Sequence, residues 1–192
     1  MTEKVHDQMV ARTRQLLKET LIHLIEEKGF NSITVRDLTL KANLNRGTFY
    51  LHYHDKYDLI EHIEDELLDG LRQYMLSLNL QDMIKHHVEN TPYPQMVQVF
   101  QYIKANGRVF KGLLGSKGDP AFQKKMKAFL KNSFFAEVIK NQNDASIPEE
   151  SFSAYATSAY LGIIEEWLEN DMLYTPEKMA IIYSKIKFFG TK

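Results

Sequence analysis

The chain has 192 residues, 44% of them hydrophobic, enough to bury a substantial core in one large or two small domains. It has no cysteine, which excludes disulfides and thiolate chemistry, and its net charge of -1 excludes a uniformly basic nucleic-acid binder. Met1 to Gln8 is too polar for a secretory signal, and no apolar run approaches the length that spans a bilayer, so the expected setting is the cytoplasm.

A long first helix is expected to stop at Lys28-Gly29-Phe30, with Gly29 ending it. Thr34 and Asp37 then form a Thr-x-x-acid capping box, Ile33 is placed to staple against Leu38, and a helix begins at Val35. Leu38 and Ala42 share its inner face before Asn43-Leu44-Asn45 turns the chain. Asn45 caps the next short helix. With Phe49 inward, Gly47 and Leu51 point outward, flanked by Thr48 and Tyr50, while Arg46 extends from the helix start.

That outer face suits a major groove. Leu51 and Thr48 match thymine methyl groups, Arg46 offers the fork that pairs with guanine O6 and N7, and Gly47 keeps the helix start slim. Tyr50, His52 and Lys56 suit phosphate oxygens. Between Arg36 and Lys56 four basic residues stand against two acidic ones, and the amino-terminal arm adds Lys4, Arg12 and Arg14. Two symmetric copies of such a surface would bind phosphates although the whole chain is near neutral, and affinity should fall steeply with salt.

Beyond this point the pattern stays helical, without alternating strand-like runs or repeats. Asp55 caps a helix expected to run to about Leu78, with Leu59, Ile63, Leu67, Leu71 and Met75 on one stripe. Breaks are expected at Thr91 to Pro94, Gly115 to Pro120 and Asn141 to Pro148. Pro94 to Leu114 and Pro120 to Lys140 are rich in large apolar residues, including Met96, Tyr102, Phe134 and Phe135. These are ordinary core or the lining of a cavity between helices; the pocket candidates are Met75, Phe100, Ile103, Phe110 and Leu113, with Phe122, Met126, Phe129 and Tyr160. In the last region Tyr155, Ala159, Gly162, Ile163 and Trp167 share one side of a long helix. Thr175-Pro176 opens a final helix carrying Met179, Ile182, Tyr183, Ile186 and Phe189. Two such helices from each of two chains would make a four-helix dimer interface, with intramolecular packing as the alternative.

Val35-Arg36-Asp37-Leu38, Ala42, Leu44, Gly47-Thr48-Phe49-Tyr50, His52-Tyr53, Lys56 and Leu59 resemble the DNA-binding signature of the TetR family of bacterial transcriptional regulators. The resemblance covers about the first third of the chain. It departs at Asn43, where the family usually has Gly, and at Tyr53, where it usually has Phe; Asn tolerates the left-handed conformation, and Tyr fills the same socket if its hydroxyl reaches solvent. Gly162 to Leu168 and Tyr174 to Glu177 also look like the carboxy-terminal region of some TetR-type regulators.

The resemblance implies an all-α fold, with a three-helix head over residues 1–54 and a ligand-binding, dimerising bundle over 55–192. It implies that Thr34, Tyr50 and Lys56 hold phosphates, and that Arg36, Arg46, Gly47, Thr48, Leu51 and His52 lie along bases or beside the backbone. The implied partners are a double-stranded operator, a second copy of the chain and a small-molecule effector, with no cofactor. An effector-independent architectural DNA binder and an all-α enzyme remain open as alternatives. Catalytic and metal constellations are poor. His52 and His54 are two apart and expected on opposite sides of a helix, His86 and His87 are adjacent, and Glu165-Glu166 reads as a solvated face. Gly112 to Lys117 lacks the spacing of a phosphate loop and reads as a glycine-bearing turn.

Overall fold

The computed structural model describes residues 2–133 and 147–187, and every regular element among them is helical. The helices are α1 (Thr2–Lys28), α2 (Val35–Lys41), α3 (Arg46–Tyr50), α4 (Lys56–Met75), α5 (Leu80–Val88), α6 (Pro94–Ala105), α7 (Gly107–Leu114), α8 (Pro120–Asn132), α9 (Glu149–Glu169) and α10 (Pro176–Lys187), with one 3-10 turn at Phe30–Ser32. Phe134, Phe135, Asn141 and Phe189 lie outside the described residues. Contacts divide the chain into two units: residues 1–66 with 112–120, and residues 67–111 with 121–192.

In the first unit the local signals act as read. Gly29 takes φ 80°, a left-handed value that stops α1. The Thr34 hydroxyl accepts from the Asp37 N–H, and the Asp37 carboxylate accepts from the Thr34 N–H at 2.8 Å, a complete capping box. Asn43 adopts φ 53°, supplying the left-handed turn residue between α2 and α3. Leu17, Leu21, Ile22 and Ile25 of α1 are buried, as are Phe30, Ile33, Leu38, Phe49, Leu59 and Ile63. His52 and His54 sit in the turn between α3 and α4, not on opposite sides of a helix, because α3 ends at Tyr50 and Asp55 opens α4 by accepting from the Tyr57 and Asp58 N–H groups.

Residues 112–120 belong to this unit through contacts that local pattern does not announce. The Phe30 N–H donates to the Lys117 carbonyl at 2.9 Å, and the Lys117 ammonium donates to the Glu26 carbonyl at 2.9 Å. The glycine-bearing turn expected here closes through Gly118 N–H to the Gly115 carbonyl at 2.8 Å. Gly118 is required because a Cβ there would run into the Leu113 carbonyl.

The second unit corrects the expected length of α4. That helix ends at Met75 rather than near Leu78, because Asn79 caps α5, its side-chain oxygen accepting from the Gln81 and Asp82 N–H groups. The Asn79 N–H in turn donates to the Tyr93 hydroxyl at 2.9 Å. Asn106 separates α6 from α7: its N–H donates to the Tyr102 carbonyl, and its own carbonyl accepts from Val109 and Phe110. The Tyr102 hydroxyl donates to the Leu67 carbonyl at 3.0 Å and lies over Gly70, where any side chain would displace it.

The core of this unit is aromatic. Phe100 meets Trp167 edge-on at 5.4 Å between centroids, and Tyr160 stacks on Tyr183 at 4.5 Å. Burial raises the pKa of both tyrosines, so both hydroxyls stay protonated. α10 packs along α6 and also meets α5.

Candidate DNA-binding surface and dimer face

α3 has only five residues and gets its orientation from its ends and one anchor. Asn45 caps it, its side-chain oxygen accepting from the Thr48 N–H at 2.7 Å and from the Thr48 hydroxyl at 3.1 Å. Phe49 is fully buried beneath it, 5.5 Å from the Tyr50 ring and 6.0 Å from the Tyr53 ring. What remains outside is the surface expected from the sequence. Arg36, Arg46 and Gly47 are exposed, Tyr50 is 56% and Leu51 83% exposed, and Thr48 and His52 are half-buried. Leu51, the C-cap of α3, stands exposed beside Tyr50 at the end of that helix.

The polar candidates separate by what their atoms already do. Thr34 and Asn45 have their side-chain oxygens in the caps that hold α2 and α3. The Lys28 ammonium, 2.8 Å from Asp37, together with the Thr34 hydrogen bonds, holds the Asp37 carboxyl well below the usual carboxylate range. Burial, assisted by Arg14, lowers the pKa of His52, leaving it neutral near pH 7.

Lys56 is the least expected of the set. Its ammonium donates to the carbonyls of Phe30 at 3.0 Å and Asn31 at 3.1 Å, and lies 4.7 Å from the centre of the Phe30 ring. Desolvation draws its pKa down, Asp119 opposing and Lys28 assisting. Two of its three N–H donors therefore tie the start of α4 to the turn between α1 and α2, which leaves one for a phosphate. Lys56→Met is expected to destabilise the protein by about 1.5–3 kcal/mol, the range for hydrogen bonds from a charged group. Urea unfolding of the two proteins checks it, and an unchanged midpoint would remove the tie.

In the second unit, α9 and α10 border an apolar groove of about 600 Å³. Ala159, Gly162, Ile163, Trp167, Met179, Ile182 and Ile186, all expected at a dimer interface, line it. Glu166, Asn170, Leu173 and Tyr174 join them, none of which the periodicity singled out. Tyr155 is 71% exposed and outside the groove lining, whereas Tyr183 is turned inward against Tyr160. Among the described residues nothing lies within 4 Å of where a Cβ on Gly162 would project. A mid-helix glycine costs about 1 kcal/mol relative to alanine, and no neighbour among the described residues requires one.

The pocket candidates Met75, Phe100, Ile103, Phe110, Phe122, Met126, Phe129 and Tyr160 are buried in this second unit, while Leu113 is buried in the first. Of the acidic neighbours, Glu166 is exposed. Glu165 is half-buried, accepts from Gln123 at 3.0 Å and has its pKa raised by desolvation, so it is not the solvated residue expected. Among the described residues no three His, Asp or Glu side chains cluster as a metal site, and no helix is long and apolar enough to cross a membrane.

Residues 19–63 match the family model described as bacterial regulatory proteins, tetR family, and residues 90–187 match one described as transcriptional regulator C-terminal region. A Bacillus subtilis (strain 168) protein named as the uncharacterized HTH-type transcriptional regulator YxbF is 23% identical over 169 residues. That alignment takes in 85% of this chain but only 42% of the relative's length. A TetR transcriptional regulator from Streptococcus agalactiae 2603V superposes with a TM-score of 0.71 at 22% identity, over 96% of this chain and 98% of that one. FadR from Bacillus halodurans, a fatty acid degradation regulator, superposes with a TM-score of 0.60 at 12% identity, over 93% and 96% of the two chains. A capped helix pair with an open outer face, a helical second unit and family matches to both halves place this chain in the TetR family of DNA-binding transcriptional regulators.

Proposed function

We propose that the protein is a homodimeric repressor that occupies a near-palindromic operator in the cytoplasm and leaves it when a small molecule binds the second unit. Residues 1–54 read the DNA, and residues 55–192 dimerise and take the effector. The observation that carries this is the outward face of α3, with Arg46, Gly47, Tyr50 and Leu51 exposed around a buried Phe49. Arg46 meets a guanine edge, Thr48 and Leu51 meet thymine methyls, and Arg36 and His52 run beside the backbone. Tyr50 and the remaining donor of Lys56 take phosphates.

The groove along α9 and α10 supports dimerisation, since it is apolar and contains a glycine whose side-chain space is empty. Two recognition helices set about 34–36 Å apart, or a multiple of that, would meet successive major grooves of one duplex face. The effector acts by stabilising a dimer whose heads are spaced otherwise. Operator and effector then weaken each other by the same factor, because binding free energies are reciprocal. The side chains proposed to take that ligand include Phe100, Phe122 and Met126.

Selection of bound duplexes from a random pool at near-physiological salt tests this reading. An enriched inverted repeat with fixed half-site spacing supports it; binding without enrichment supports an architectural role, and no binding sinks both. Once a site is known, Arg46→Ala is expected to relax preference at one base pair and to weaken binding by about 1–3 kcal/mol. Titration against every single-base variant of the site checks this. Equal loss on all of them would move Arg46 from base to backbone.

A further inference from the structure

α1 starts at Thr2, well before residue 19, where the match to the DNA-binding family model begins. Its early turns form one wall of a groove of about 380 Å³, through His6, Met9, Val10, Thr13 and Arg14. Thr48, Leu51 and His52 form the other. Residues 6, 9, 10, 13 and 14 recur at helical spacing, so a single stripe of α1 faces the end of the recognition helix. All eight residues belong to the first unit.

Two features of the groove say what it holds. Among the described residues no carboxylate lines it, and the Arg14 guanidinium stands at its exposed rim. Thr48 and Leu51 also belong to the face of α3 that meets bases, so the groove continues the reading surface rather than opening elsewhere. Its apolar content on α1 fits the same occupant: Met9 is 65% exposed, and deoxyribose carbons are the apolar part of a strand edge. We propose that this groove clasps the sugar–phosphate strand bordering the bases read by α3, with Arg14 and His6 on phosphate oxygens and Met9 and Val10 against the sugars. The proposal rests on the reading-head assignment above and extends the DNA surface to the amino-terminal turns of α1.

The test is fluorescence anisotropy of the full chain on its selected duplex over a salt series. Arg14→Ala should make the slope of log K against log salt shallower by about one unit and weaken all duplexes alike. Met9→Glu, which sets a carboxylate against the strand, should weaken binding at least about tenfold, with helicity by circular dichroism and dimer mass unchanged. Wild-type slope in Arg14→Ala together with wild-type affinity in Met9→Glu overturns the proposal. If Arg46→Ala weakens binding while these two variants do not, the groove fails and the reading head stands. If the wild type enriches no sequence, sequence-specific reading fails. The same salt series on a random duplex then still decides whether Arg14 meets phosphate.

Discussion

Gly162→Glu is expected to convert a dimer into a folded monomer and to lower operator affinity by about 10²–10⁴, the gain that linking two binding modules provides. The substitution is chosen for its contrast. Within one chain the position is open, with no atom of the described residues within 4 Å of a Cβ, and replacing a mid-helix glycine favours the helix by up to about 1 kcal/mol. The same position lines an apolar groove with Ala159, Ile163 and Ile182, and a second chain seated there would bury a carboxylate without a partner. Exposed Leu173 and Ile186, 79% and 47% open in the single chain, mark the area that pairing would cover. Sedimentation of the variant, its circular dichroism and its operator affinity settle the matter together. A variant that remains dimeric with wild-type affinity places the interface elsewhere, and Gly162→Ala gives a milder step in the same direction.

Local chemistry explains which parts of this protein were legible in advance. Thr34, Asn45 and Asp55 cap helices through bonds to N–H groups two or three residues away, so a short window holds both partners. Asn43 is similar, since a left-handed residue is needed where α2 turns into α3 and Asn tolerates it. The end of α4 was harder. Leu78 continues the apolar stripe and is buried, yet it reaches the core from a turn, because the cap at Asn79 outcompetes one more helical turn. Periodicity also cannot divide an apolar face between its own chain and a partner. Tyr183 and Ile182 are neighbours on α10, but the first stacks on Tyr160 and the second lines the groove.

Contacts distant in sequence were the ones missed. Lys56 binds carbonyls 26 and 25 residues before it, and Lys117 reaches back 91 residues to Glu26. A lysine at a helix start suggests a phosphate, and nothing nearby in sequence announces that a backbone turn takes two of its protons first. The groove wall on α1 escaped for a related reason. His6, Met9 and Val10 have mixed polarity, so they form no apolar stripe, and their common direction becomes visible only when Leu51 and His52 stand opposite.

Phe49→Ala is the second change expected to have a large effect, and its outcome separates folding of the head from assembly of the dimer. A five-residue helix does not persist alone, because nucleating a helix costs more than so few hydrogen bonds return. The direction of Arg46, Thr48 and Leu51 therefore depends on the ring beneath them, which is 0% exposed and packs against Tyr50 and Tyr53. Truncating a buried phenylalanine to alanine costs about 3–5 kcal/mol, a large part of the stability of a small domain. Operator binding should fall more than about a hundredfold, while the dimer mass stays that of the wild type, since Phe49 and the α9–α10 groove belong to different units. Phe49→Leu, which keeps most of the volume, should recover most of the binding. Loss of binding with an intact dimer and rescue by leucine assign Phe49 to the posture of α3. Loss of the dimer as well would mean that the two units fold as one, and wild-type binding in Phe49→Ala would mean that the caps at Asn45 and Asp55 hold the recognition helix without its anchor.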